Sequence, residues 1–114
     1  MEIDCAIIEL KPNSHERVRE WASHILKNKG EAVETLKNEG VTIESFFLVE
    51  IEDKDYLIGY MRAKSREKAQ EVVKKSLSEI DAYHQKFKKD TWVRSIQSEL
   101  MFDLSRIEGE DEIA

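Results

Sequence analysis

The sequence is short of the residues that staple, break or bridge a chain. One cysteine, Cys5, excludes an intrachain disulfide and fits a reducing compartment. One proline, Pro12, and four glycines that stand singly leave no glycine-rich phosphate cradle. No apolar run approaches the roughly 18–20 residues of a membrane span. Strand-like sequence begins at once, without a basic and then apolar leader, so no signal peptide is expected. Positive charge is not in excess either: 18 Lys and Arg against 24 Asp and Glu give a net charge of −6. That balance argues against nonspecific binding to nucleic-acid phosphates. Histidines at 15, 24 and 84 are too scattered to form a ligand set, so neither a metal nor another cofactor is expected. A soluble cytoplasmic protein, with no membrane or nucleic-acid partner, is the expectation.

What is present suits one domain. The 114 residues are 40% hydrophobic and 37% charged, enough for a modest core beneath solvated helix faces. Ile3–Leu10 reads as a strand that Lys11-Pro12 stops. Asn13 or Ser14 then offers an N-cap for a helix whose stripe is Val18, Trp21, Ala22, Ile25 and Leu26, at the spacing of one buried face. Val33 and Leu36 extend the stripe to a stop at Gly40, and the helix is either bent or split at Gly30. Ser65 is a second N-cap. Ala69, Val73, Leu77, Ile80, His84 and Phe87 follow as one long helix or two abutting ones. Trp92–Leu104 reads as a last strand, with Leu100, Phe102 and Leu104 on one parity. The expected organisation is a single domain over 1–104 and an acidic tail over 105–114 that is mobile or lightly docked.

The hairpin from Thr42 to Ala63, turning at Asp53-Lys54-Asp55, is the most informative segment. Ile43, Phe47, Val49 and Ile51 share one parity of its first strand, while Phe46 and Leu48 share the other with Glu44 and Glu50. Its second strand alternates Tyr56, Ile58, Tyr60 and Arg62 with Leu57, Gly59, Met61 and Ala63. Neither face of such a hairpin is wholly polar. The order β-α-β-β-α-β predicts an α+β, ferredoxin-like domain with two helical regions on one face of a four-stranded antiparallel sheet. The other face needs a cover, and a two-fold homodimer is the simplest one.

Several segments carry a resemblance. They are Lys11-Pro12 with His15 to Trp21, Glu39-Gly40-Val41, Glu44-Ser45 with Phe47-Leu48, Asp55 to Ile58 with Tyr60-Met61, and Ile80 to His84 with Phe87, then Lys89 to Trp92. Together they resemble an uncharacterised bacterial family of the dimeric α+β barrel superfamily. That resemblance implies the fold and the pairing of two sheets into a barrel, and no activity. The start of the chain is more distantly similar to L-rhamnose mutarotases, which use a tyrosine and a histidine one turn apart on the first helix. The matching positions here are Val18 and Ala22, neither of which transfers a proton.

His84 is the sharpest chemical candidate, since it lies on the apolar stripe with Asp81 three residues earlier. A carboxylate orienting an imidazole is a common acid–base device. The alternative is a core histidine bonded to a tyrosine or a backbone carbonyl. Glu44 is a candidate base or acceptor if its parity faces a cavity, whereas Glu50 reads as a sheet-end residue. Tyr60 and Arg62 share a parity and suit an anionic or hydroxylated ligand, with Trp21 as a stacking surface. Their other reading is packing for the aromatics and an ion pair for Arg62. Cys5 reads as a small hydrophobe, and His15 and His24 fall on the polar side of the first helix. The expectation is a homodimer that binds a small organic molecule between sheet and helices. His84, Asp81, Glu44 and Tyr60 would be its polar groups, and cofactor-free proton transfer or isomerisation its reaction. A noncatalytic dimer is the competing expectation.

Overall fold

The computed structural model describes residues 1–107. Eight elements follow in order: β1 (Glu2–Leu10), α1 (His15–Lys27), α2 (Lys29–Glu39), β2 (Val41–Ile51), β3 (Lys54–Ala63), α3 (Arg66–Lys75), α4 (Glu79–Thr91) and β4 (Trp92–Ile96). The sheet runs β2-β3-β1-β4 with every neighbouring pair antiparallel. This is the α+β, ferredoxin-like arrangement that the element order predicts.

Local chemistry moves several boundaries. The first helical region is split at Asn28, not at Gly30, which lies inside α2. Asn28 turns its Nδ2 back to the His24 carbonyl oxygen at 2.9 Å, competing with the helical ladder as short polar side chains do. The second region is also split. Ser76 and Ser78 are extended, and Leu77 between them is 99% exposed. Leu77 therefore leaves the stripe on which its spacing put it. Ser65 caps α3 as expected, accepting from the Lys68 N–H at 3.2 Å. The hairpin turns at Glu52-Asp53, one residue earlier than the sequence suggested, with φ of 50° and 66°. Two left-handed residues are what a two-residue hairpin turn requires.

The last strand is shorter than its alternation implied. β4 pairs with Ile7–Leu10 of β1 across a register shift at Glu9/Leu10 and ends at Ile96. Ser98 Oγ still donates to the Cys5 carbonyl oxygen. Beyond it Leu100, Phe102 and Leu104 are exposed and in no strand. Of the acidic tail over 105–114, residues 108–114 lie outside the described residues.

The helix side of the sheet holds the core. Ile8, Leu10, Val18, Trp21, Leu57 and Phe87 are buried together, and Val41, Ala63 and Ala69 form a smaller cluster. Gly59 makes room for the central aromatic. Its register partner is Phe46, and a Cβ at position 59 would lie 2.7 Å from Phe46 Cε1. Without that Cβ, Phe46 lies against β3 and meets the Trp21 ring edge-on at 5.1 Å. The opposite face carries Ile3, Ile7, Ile43, Phe47, Ile58 and Tyr60, as the registers require. No described helix is long and apolar enough to cross a membrane.

Candidate functional site

The polar groups on the helix side gather where the end of α2 meets β2 and α4. Asp81, His84 and Lys88 stand at i, i+3 and i+7 on α4, so they share one helix face. Glu39 is the last residue of α2, and Glu44 projects from the same face of β2 as Phe46 and Leu48.

Trp21 organises the imidazole. Its ring stacks on Phe87 at 4.4 Å with an interplanar angle of 3°, and its Nε1–H donates to His84 Nδ1 at 3.1 Å. That bond uses the Nδ1 lone pair, so the neutral ring carries its proton on Nε2. Burial, helped by the positive charge of Lys88, pushes His84 down from 6.5 to about 4. The imidazole is therefore neutral near pH 7 and presents an Nε2–H donor. That donor has no hydrogen-bond partner among the described residues.

The carboxyls supply the opposite chemistry. Glu39 is 8% exposed and makes neither a hydrogen bond nor an ion pair among the described residues. Burial first, then the negative charges of Asp81 and Glu44, raise it from 4.5 to about 7. Glu44 is also raised, by desolvation and by Asp81, with Lys88 opposing. It keeps exposed surface, so Glu39 is the stronger case. Lys88 is lowered by burial against the pull of Glu44, and its Nζ sits 4.5 Å over the Trp92 ring.

The predicted residues divide between the two faces. His84, Asp81, Glu44 and Trp21 are on the helix side. No hydrogen bond joins Asp81 to His84 among the described residues; Trp21 is the group that orients the ring. Tyr60 and Arg62 lie on the opposite face, with Tyr60 opposite Cys5 and Ser45. They cannot share a pocket with His84, because strand residues of opposite parity leave the sheet on opposite sides. Arg62 instead binds Asp103 through two hydrogen bonds, of 2.7 and 3.1 Å, and lies 5.8 Å from the Tyr60 ring centre. Sequence reading missed Glu39 and Lys88. The seven-residue spacing from Asp81 marks Lys88 in retrospect; nothing marks Glu39, which reads as the polar end of a helix.

Two cavities lie elsewhere, and neither is lined by His84 or Glu44. One of about 610 Å³ at the hairpin end is lined by Glu9, Pro12, His15, Glu50, Lys54 and Asp55, among others. Within it His15 Nε2 and Asp55 Oδ1 are 2.7 Å apart, a pairing that turns a supposedly solvent-facing histidine to local use. Ligand atoms of His15, Glu50 and Asp55 lie within 4.8 Å of one another, the donor types that suit a divalent cation. A groove of about 310 Å³ runs past Glu20, Ser23, His24, Lys27 and Tyr83. There His24 stacks on Tyr83 at 3.8 Å.

A family model, described as a family of unknown function (DUF6176), matches residues 1–109. The chain belongs to DUF6176. No curated protein and no solved structure matches it. In this DUF6176 chain Val18 is a core residue and Ala22 is packed against the core.

Proposed function

We propose that this protein binds a small organic molecule on the helix side of its sheet and supports cofactor-free proton transfer or isomerisation there. The observation that carries the reading is Glu39, whose carboxyl ends a largely buried side chain, makes no hydrogen bond or ion pair among the described residues and is held where it exchanges a proton near neutral pH. General acid–base groups work best with pKa values near the operating pH. In this reading Glu39, or Glu44 beside it, moves the proton. His84 donates its Nε2–H to an oxygen on which charge develops, because a neutral imidazole with its Nδ1 occupied is a donor and a poor base.

The test is native mass spectrometry of protein purified from cells, followed by titration of the recovered molecule. The Trp21 indole N–H resonance is the reporter. The expected result is a retained small molecule that shifts this resonance in the wild type and binds weakly to Glu39→Gln. A ligand-free protein, with an indole signal unmoved by carbonyl and hydroxy compounds, refutes the reading. The noncatalytic alternative draws on one observation: the two cavities described above are not lined by His84 or Glu44. We also propose that the chain is a homodimer joined through the open face of the sheet, where Phe47 is 57% and Ile51 49% exposed.

A further inference from the structure

The chain beyond β4 is ordered by polar contacts and exposes its apolar side chains. Ser98 Oγ donates to the Cys5 carbonyl oxygen at the free edge of β1. Five residues later Asp103 accepts from both terminal nitrogens of Arg62, at 2.7 and 3.1 Å, and Arg62 is 8% exposed on the open face of β3. A bidentate carboxylate–guanidinium pair fixes direction as well as distance. The clasp therefore carries the segment from the sheet edge to the open face. Along it Leu100 is 56% exposed, Met101 82%, Phe102 72%, Leu104 87% and Ile107 55%.

We infer that residues 97–107 form an assembly arm whose apolar side chains dock on the open sheet face of a second copy of this chain, with the Arg62–Asp103 clasp setting the direction of the arm. The inference rests on the proposed dimer and names the segment that makes it.

Area and symmetry favour a second copy. A standard interface covers about 800 Å² on each partner. Five arm side chains at these exposures, with Phe47 and Ile51, offer on the order of 100 Å² each, judged from the 150–250 Å² of a buried aromatic. Arm and face lie on one chain, and a two-fold axis buries each arm on the other copy's face at once, closing the assembly. A membrane surface suits this segment poorly. It forms no helix, its apolar residues are interrupted by Glu99 and Asp103, and interfacial anchors are amphipathic helices rich in Lys and Arg.

Sedimentation equilibrium of the full chain at tens of micromolar decides the matter. Expected is twice the 13.3 kDa chain mass for the wild type and for Leu77→Asp, whose side chain is exposed in the linker between α3 and α4. The double variant Phe102→Asp/Leu104→Asp should dissociate at least 100-fold more readily, with unchanged helical circular dichroism. A wild-type monomer overturns both the dimer and the arm. A dimer split by Phe47→Asp and untouched by the double variant overturns the arm and leaves the face dimer standing. Dissociation by Leu77→Asp overturns both, because it moves the interface off the sheet. Hydrogen exchange of the unmodified chain is the check without substitution: arm amides should lose protection on dilution, and protection independent of concentration overturns the inference.

Discussion

Replacing Glu39 by glutamine should stabilise the protein at high pH and leave it unchanged at low pH. Glu39 titrates at about 7 in the folded protein against an ordinary 4.5. At about 1.4 kcal/mol per pH unit, the gap corresponds to about 3 kcal/mol. The folded pKa is raised, so the stability is fully present below pH 4.5 and is lost as pH rises through 7. The wild-type profile alone hides this, because His84 works against it. Its folded pKa is lowered from 6.5 to about 4, so its stability is present above pH 6.5 and is lost as pH falls through 4. Between pH 4.5 and 6.5 the two contributions oppose each other at similar size. The difference between wild type and Glu39→Gln cancels His84 and every other group whose titration the substitution leaves alone. Urea unfolding at fixed protein concentration, from pH 4.5 to 8.5, gives that difference. Glutamine should gain up to about 3 kcal/mol over the wild type across this range, most of it between pH 5 and 7.5. A difference that stays constant with pH, or that shrinks as pH rises, refutes a Glu39 carboxyl held above the ordinary range.

Asp81→Asn should bring Glu39 down toward the ordinary range, since Asp81 is the larger of its two charge perturbers; a smaller pH-dependent gain on adding Glu39→Gln checks it. Trp21→Phe removes the donor to His84 Nδ1 and should raise the pH at which His84 titrates in an NMR titration, with a stability loss of about 1–3 kcal/mol from the hydrogen bond and the smaller ring. Gly59→Ala places a methyl 2.7 Å from Phe46 Cε1 and should cost about 1–3 kcal/mol by thermal melting, most of it recovered when Phe46 is shortened to leucine. Gly40→Ala puts a Cβ on a residue with φ of 74° at the end of α2, costing about 1 kcal/mol in urea unfolding.

The sheet was legible because its evidence is parity. Leu57 and Ala63 on one side of β3, and Ile58 and Tyr60 on the other, follow from alternation alone, and the registers keep every one of them on its expected face. Helix breaks were less legible. Gly30 is the weaker helix former, yet Asn28 breaks the helix, because its amide reaches a carbonyl one turn back. The last strand failed for a related reason. Leu100, Phe102 and Leu104 alternate like strand residues, but alternation names no partner, and Asp103 is drawn away by Arg62. At the site, the apolar stripe put His84 inward correctly. Glu39 was invisible, because its inward position depends on how the left-handed turn at Gly40 sets α2 against β2. No local pattern carries that information.

The Trp21–His84 bond changes which residue can do the work. A histidine beside an aspartate suggests a base with an orienting carboxylate, and that scheme needs an imidazole nitrogen free to accept. Here Nδ1 is already accepting from Trp21, and neutrality then puts the proton on Nε2. Such a ring donates, and charge that develops on a bound oxygen is what it can stabilise. In the proposed reading the proton falls to the carboxyls, of which Glu39 is the more buried. Gly59 joins this site to the fold, since it lets Phe46 reach the Trp21 ring that fixes the tautomer. Tyr60 and Arg62 sit behind the same sheet, with Arg62 bound to Asp103. A ligand on the helix side touches neither. Changes at Tyr60 should therefore reach ligand binding only through assembly, and a concentration-independent loss of binding in Tyr60→Phe would contradict this separation of the two faces.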